Sequence, residues 1–286
     1  MINLFDNILN QSLTFEYVTG DITTQHKPIH TEWRSLPCLL IAYQKGGRSG
    51  LYLKNHPFQV IERNELLVIP PGKQHLITLE SSSIISCWVH LNYYVLGRLD
   101  FFTFVNIPII IRGKTADNIG KIIKEWILFL KKGTAENFIQ MHACKNEMGF
   151  HILQELSSVI KPSPENQTRL KYIHQIQPAL DKIHQNYIFI LDRNTLAGCC
   201  NISTSQFHRI FVKAMAISPV EYIRSLRINR AQSLLISTDL SVKEICRLSG
   251  YDDPLIFSRS FKQKCGLSPD HYRRNFILST QNGANF

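Results

Sequence analysis

Residues 207–224 read FHRIFVKAMAISPVEYIR, and residues 257–274 read FSRSFKQKCGLSPDHYRR. Seven of the eighteen aligned positions are identical: Phe207/Phe257, Arg209/Arg259, Phe211/Phe261, Ser218/Ser268, Pro219/Pro269, Tyr222/Tyr272 and Arg224/Arg274. Two copies are too few for a solenoid, so the repeat describes one module used twice. In the first copy Phe207, Ile210, Phe211 and Ala214 recur at helical spacing and mark a buried face. Ser205, Gln206, His208, Arg209 and Lys213 fall on the opposite face, and all can hydrogen-bond. Ser203 stands at the N-cap, with Gln206 three residues on to complete a capping box. In the second copy Asp253 caps and Pro254 takes the first helical position, where its missing N–H costs nothing. Phe257 and Phe261 face inward there, while Ser258, Arg259, Lys262 and Gln263 point away. Each copy closes on a Ser-Pro pair (Ser218-Pro219, Ser268-Pro269) that caps and begins another helix.

Upstream of each copy lies a shorter helical segment. Asp192 caps RNTLAGCC and Ser241 caps VKEICRLSG, with turns at Asn201 and Gly250. A short helix, a tight turn and a second helix with a basic outer face form the helix-turn-helix pattern. Between the two units, Pro219 to Ile236 reads as one helix, with Tyr222, Leu226, Ala231 and Leu235 available for packing. At ~1.5 Å per residue it spans roughly 27 Å. That is near the ~34 Å between successive major-groove faces on one side of B-DNA, so the units can read adjacent turns.

Residues 178–274 resemble the DNA-binding domain of the AraC/XylS family of bacterial transcription regulators. The resemblance is carried by LAGCCNISTSQFHRIFVKAMAISPVEYIRSLRINRAQSLL and by VKEICRLSGYDDPLIFSRSFKQKCGLSPDHYRR. Ala216 departs from the family pattern, which usually has a glycine there, as Gly266 is in the second copy. Glycine supplies positive φ in such a turn, so a differently shaped turn is expected in the first unit. The resemblance implies a cytoplasmic regulator rather than an enzyme, with double-stranded DNA as its partner and no cofactor. It also implies a small-molecule effector, taken here as a carbohydrate, a homodimer, and RNA polymerase as a candidate partner.

The candidate DNA-contacting residues are Ser205, Gln206, Arg209 and Lys213 in the first unit and Leu255, Ser258, Arg259 and Lys262 in the second. Arg209 and Arg259 share a repeat position, where arginine can grip guanine O6 and N7 with two hydrogen bonds. Their neighbours differ. Ser205 and Gln206 can hydrogen-bond base edges, whereas Leu255 and Ile256 offer only apolar contact, as to a thymine methyl. The alternative is that Leu255 or Ile256 packs inward and that Arg259 holds phosphate.

The chain has 286 residues, which favours two domains on size. Its net charge of +10 is unevenly shared: residues 171–286 carry 15 Lys/Arg against 8 Asp/Glu, and residues 1–170 carry 17 against 14. A basic carboxy-terminal part suits a polyanionic partner, and it coincides with the duplicated helices. No apolar run approaches the ~20 residues that span a bilayer. MINLFDNILNQ lacks the basic and apolar regions of a signal peptide. Seven cysteines, scattered and without a C-x-x-C pair, read as reduced thiols.

The first hundred or so residues read as β. Leu39–Tyr43, Gly50–Leu53, Phe58–Ile61, Leu66–Ile69, His75–Leu79 and Ile84–Leu91 are short apolar or alternating runs, broken by KGGRSG, KNHP, RNE, PPGKQ and SSS. Many short strands with Gly/Pro turns argue for a sandwich or barrel. ERNELLVIPPGKQHLITL resembles the second motif of cupin jelly rolls, a likeness that covers about residues 15–110. Metal-binding cupins also carry a His-x-His pair, and here the region offers only His56 followed by Pro57. His75 alone does not hold a metal. Arg34, Trp88 and His75 match positions that face or lie near the sugar in an arabinose-responsive member of the family. His90, two residues from Trp88, shares its strand face. These four are the candidate ligand-binding residues; Trp88 as plain core and the histidines as satisfied hydrogen-bonders are the other readings.

Two helices follow. Thr115 can cap the first, and Ile119, Ile122, Ile123, Trp126, Ile127 and Leu130 make a broad apolar stripe. Lys131, Lys132 and Gly133 end it, and a second helix runs from about Ala135 to Val159. The stripe can pack on its own barrel or pair two subunits; the resemblance favours pairing. The expected organisation is therefore an all-β cupin-like jelly roll followed by two helices, for sensing and dimerisation (1–160). A hydrophilic Pro-containing linker (161–170) precedes an all-α domain of two helix-turn-helix units joined by a linker helix (171–286). The tail after Phe276 is expected to fray. Two other uses remain for the barrel: a module that only dimerises or docks a protein, or a metal-dependent cupin enzyme.

Overall fold

The structure is a computed structural model that describes residues 9–10, 12–26, 31–96, 98–132, 138–162 and 164–274. The expectations for most of the amino-terminal stretch, for Gly133 and Ala135, and for the tail after Phe276 lie outside these residues. The described chain divides into two compact units. One comprises Thr14–Tyr93 and Asn106–Lys161; the other is built mainly from Pro162–Arg273, with Tyr94–Val105.

The first unit is made of strands β1 (Thr14–His26), β2 (Leu39–Gly46), β3 (Ser49–Leu53), β4 (Gln59–Ile61), β5 (Leu66–Ile69), β6 (His75–Leu79) and β7 (Ser83–Val95). The short β8 (Leu99–Asp100) and β9 (Val105–Asn106) follow in the chain, and β10 (Ile110–Ile111) again belongs to the first unit. One sheet runs in the order β1-β7-β2-β5-β10, and a second in the order β4-β3-β6. Every apolar run expected as a strand is one. β1 escapes a hydrophobicity reading, because its residues TFEYVTGDITTQH are mostly half-buried and mix apolar with polar types. Its aromatic residues anchor it instead: Phe15 lies 5.2 Å from the Tyr93 ring, and Tyr17 lies 5.0 Å from Trp126.

Helix α1 (Lys114–Lys132) packs on β1, β2 and β5 and on helix α2 (Phe138–Ser157). Its stripe residues Ile119, Ile122, Ile123, Trp126 and Ile127 are all buried in this contact. The expectation that the stripe pairs two subunits is corrected accordingly. The barrel offers apolar sheet residues within reach of the same chain, and α1 covers them. Gly120 permits the close approach, since a Cβ there would fall within the Tyr43 ring. Tyr43 Oη then donates to Asp117 Oδ1 at 2.8 Å. Thr115 is not the cap: the helix begins at Lys114, and Asp117 N donates to the carbonyl of Gly113.

The second unit contains helices α3 (Pro164–Asn186), α4 (Arg193–Cys199), α5 (Thr204–Met215), α6 (Pro219–Ser237), α7 (Val242–Leu248) and α8 (Pro254–Cys265). The stretch read as a linker is helical from Pro164 onward, a proline placed where a helix start has no use for its N–H. The duplication extends beyond the repeated sequence. Phe207, Phe211 and Tyr222 stack with ring centroids 5.5 and 5.6 Å apart; Phe257, Phe261 and Tyr272 stack at 5.8 and 5.3 Å. Each tyrosine is also tied to the helix that precedes its module. His184 Nε2 of α3 lies 2.8 Å from Tyr222 Oη, and Gln232 Nε2 of α6 donates to Tyr272 Oη at 3.1 Å. The true repeat unit is thus three helices, α3-α4-α5 and α6-α7-α8.

The caps follow the sequence. Ser203 and Ser241 accept from the backbone three residues on, Asp192 likewise, and the reciprocal capping box forms at Ser241–Glu244. At Ser203 the described bond is the one from Gln206 N. The expected difference at Ala216 does not arise. Ala216 (φ 59°) and Gly266 (φ 85°) are both left-handed C-caps, donating to Val212 O and Lys262 O. The first helix-turn-helix unit, α3-α4-α5, makes the same turn with a residue that pays about 1 kcal/mol for it. Ala216→Gly is therefore expected to raise the stability of this unit by about 0.5–1 kcal/mol in urea unfolding followed by far-ultraviolet circular dichroism.

Candidate DNA-reading helices and barrel cavity

The outer faces of α5 and α8 are the basic, polar faces that the repeat defines. On α5, Ser205, Gln206, His208, Arg209, Val212 and Lys213 are exposed; on α8, Leu255, Ile256, Arg259 and Lys262 are exposed and Ser258 is half-buried. Residues three, four and seven apart share a line on a helix. One line on α5 is therefore Ser205, His208, Arg209 and Val212, and the matching line on α8 is Leu255, Ser258, Arg259 and Lys262. All eight candidate residues are brought to the outer surface of a recognition-type helix, but Lys213 leans sideways. Its ammonium lies 5.3 Å from the centroid of the Tyr172 ring on α3. Val212 takes the repeat position of Lys262 and was missed; aligning the copies residue by residue finds it. Leu255 and Ile256 do not pack inward.

The linker helix contributes less charge than its sequence suggests. Arg227 donates to the carbonyls of Tyr187 and Phe189 at 2.7 and 2.9 Å, and Arg230 donates to that of Leu248 at 2.8 Å. These arginines close helix and loop ends within the unit. The cationic groups facing outward on these two lines are Arg209, Arg259 and Lys262.

The first unit holds a cavity of about 100 Å³. Strand alternation supplies its walls: Leu40, Ala42 and Gln44 from β2, Ile84, Ser86, Trp88 and His90 from β7, and Thr23 and Gln25 from β1, with Thr31, Arg34, Ser49, Leu67 and Ile77 completing it. The register sets Ala42 opposite Trp88 and Leu40 opposite His90, and the Trp88 and His90 rings lie 5.0 Å apart. Three of the four candidate ligand residues, Arg34, Trp88 and His90, therefore meet in one cavity. His75 does not line it. It pairs with Arg34 through backbone bonds of 2.8 and 3.0 Å and is fully buried. Of the polar residues missed by the sequence reading, Thr23, Gln44 and Ser86 carry a period-2 signal on β1, β2 and β7, and Ser49 opens β3. Several already bond to one another: Ser49 Oγ donates to Gln44 Oε1 at 3.1 Å, and Thr23 and Ser86 hydroxyls lie 3.4 Å apart.

Both histidines are held neutral. Burial and the nearby Arg34 guanidinium lower His75 to about 3, and burial, Arg34 and His75 lower His90 to about 3. His75 Nδ1 lies 2.9 Å from the carbonyl of Lys73, which fixes the proton on that nitrogen. An unfolded histidine takes up a proton near pH 6.5. The folded chain refuses it until about pH 3, so stability is full above pH 6.5 and falls as pH is lowered through that window. Between pH 7 and pH 5 the first unit is expected to lose on the order of 2–4 kcal/mol. All three tryptophans (Trp33, Trp88, Trp126) lie in this unit, so urea unfolding read by tryptophan fluorescence checks it directly.

Among the described residues no group of three or more His, Cys, Asp or Glu could hold a metal ion, and no helix is long and apolar enough to cross a membrane.

Comparison with known proteins fits this geometry. Residues 196–275 match the helix-turn-helix domain family HTH_18. The chain is 35% identical over 106 residues to the lactose operon transcription activator of Staphylococcus xylosus, covering 37% of this chain and 38% of that protein. It is 36% identical over 109 residues to the Msm operon regulatory protein of Streptococcus mutans, covering 38% of each. The chain thus spans about two fifths of the length of the curated relatives it matches. The crystal structure of ToxT from Vibrio cholerae matches 93% of this chain and 99% of its own with a TM-score of 0.55 at 13% identity, a likeness of fold. The repeated N-cap, aromatic stack and left-handed turn of the two modules lie inside the matched segment, so the chain carries a helix-turn-helix domain over residues 196–275, similar to those of bacterial operon regulators.

Proposed function

We propose that this protein is a transcription regulator that binds duplex DNA through α5 and α8 and responds to a small polar molecule, most simply a carbohydrate, held in the barrel cavity. The observation that carries the DNA part is the duplicated exposed line on α5 and α8, each centred on an arginine at the same repeat position. For the effector, the support is the cavity itself. An aromatic plate at Trp88 can stack on the C–H face of a polyol, while Arg34, His90 and the Gln, Ser and Thr side chains satisfy hydroxyls. A relative named for a lactose operon agrees with a sugar effector. On this reading the chain acts in the bacterial cytoplasm without a cofactor, with RNA polymerase as its further partner.

A homodimer belongs to the same reading but needs a face other than the α1 stripe. The exposed Phe138 and Ile139 at the start of α2 favour that end of the unit, whether for a second copy or for a docked protein. Sedimentation of the wild type at micromolar concentration measures it.

A thermal-shift screen against sugars tests the effector reading. A ligand at 100 times its dissociation constant adds about 2.7 kcal/mol of apparent stability. Trp88→Ala is expected to abolish that shift and leave duplex binding intact. A panel of sugars that shifts nothing would instead favour the docking use of the barrel.

A further inference from the structure

Leu255 breaks the chemistry of its own line. It stands three, four and seven residues before Ser258, Arg259 and Lys262, all hydrogen-bond donors, yet its side chain can make no hydrogen bond. It is 68% exposed and is the second residue of α8, where its repeat counterpart on α5 is Ser205. A recognition helix presents its N-terminal residues to base edges. The other way a helix start holds DNA, through free backbone amides on a phosphate, is closed here. Asp253 Oδ1 accepts from Leu255 N at 2.6 Å and from Ile256 N at 3.2 Å, and its negative charge repels phosphate. Ile256 leaves the line: it borders a cleft of about 430 Å³ together with Val220 and Ile223 of α6 and with Ser260. Leu255 is thus what the tip of α8 offers to the groove, and it is apolar.

We propose that Leu255 reads thymine, packing on a C5-methyl group in the major groove, so that the α8 half of the site depends on thymine where the α5 half is read by hydrogen bonds. The inference rests on the DNA-binding reading above. Thymine is the base whose major-groove edge carries a methyl group; adenine, guanine and cytosine would set polar atoms against the leucine and leave them unpaired. Removing one buried methyl group costs about 0.8 kcal/mol, or about fourfold in affinity.

The test starts with binding-site selection on the full chain, the α8 half being the one that loses its preference in Arg259→Ala. Each thymine of the enriched site is then replaced in turn by deoxyuridine, which removes only the methyl group. The wild type is expected to lose about three- to fivefold in affinity at one thymine of the α8 half. Leu255→Ala, an exposed change that the fold tolerates, is expected to bind the thymine and uridine duplexes alike. The proposal is overturned by an α8 half without thymine, by equal affinity for uridine at every position, or by a penalty that persists in Leu255→Ala. If Leu255→Ala instead lowers transcription by added polymerase with the uridine penalty unchanged, the leucine docks protein and the proposal is wrong. Failure of the DNA-binding reading looks different: no sequence is enriched from the pool at all.

Discussion

Ile123→Lys is expected to unfold the amino-terminal unit rather than to yield a folded monomer. Ile123 is fully buried at the middle of α1, on the face that covers the sheet. An ammonium there has no carboxylate partner on the stripe and loses its hydration, which puts the cost above about 4 kcal/mol, a large share of any domain's stability. Tryptophan fluorescence is expected to read the unfolded state at 25 °C, because Trp126 lies one helical turn along the same face. Far-ultraviolet circular dichroism is expected to keep the signal of α3–α8, whose cores are their own. Leu128→Lys is the internal control. Leu128 is on the same helix but 43% exposed, so its lysine is expected to cost under about 0.5 kcal/mol. A well-folded, monomeric Ile123→Lys protein would mean that the stripe is a subunit interface after all.

The second large effect concerns the aromatic stacks. Phe211 and Phe261 are fully buried at the centre of their triads, flanked by Phe207 and Tyr222 or by Phe257 and Tyr272. Truncating either to alanine removes a ring from a closed core and is expected to cost about 3–5 kcal/mol. Because the two modules repeat the same packing, the two costs are expected to agree within about 1 kcal/mol. Urea unfolding of each variant by circular dichroism measures this. A loss below 1 kcal/mol at one site would mean that its module is held by something other than the triad. On the proposed function DNA binding is expected to fall in both variants, since each stack fixes the back of α5 or α8.

Much of the carboxy-terminal unit was legible because its signals are local and written twice. Ser203, Asp253 and Ser218 announce helix starts by side-chain chemistry that needs no tertiary partner. The identical Phe and Tyr positions announce the buried face. Ala216 was misread for the converse reason. Residue preference suggests a turn, but the Val212 carbonyl and the start of α6 over-determine it, and an alanine is drawn into left-handed φ. The third helix of each module was not legible as part of the repeat. α3 and α6 share a role through His184–Tyr222 and Gln232–Tyr272, and those partners have no sequence in common.

In the barrel the legible part was strand alternation, which set Trp88 and His90 on one face. Which residues stand across from them depends on register and on β1, whose half-buried mixture of types gives no hydrophobic period. The α1 stripe shows the same limit from another side. A hydrophobic period states that a face is buried but not against which surface. Here the sheet of the same chain was nearest.

The two copies are expected to act as two readers, each responsible for its own half of one site. The direct measurement is binding-site selection with the full chain carrying Arg209→Ala, Arg259→Ala or neither. Both arginines are exposed, so neither change threatens the fold. The wild type is expected to enrich a bipartite sequence with its halves about one helical turn apart. Arg209→Ala is expected to relax base preference in one half and Arg259→Ala in the other, each by about 1–3 kcal/mol of discrimination at a guanine, with Gln206→Ala a milder version of the first. Uniform weakening across all sequences by both variants, with a shallower salt dependence, would contradict it: the arginines would then hold the backbone, and the bases would be read elsewhere.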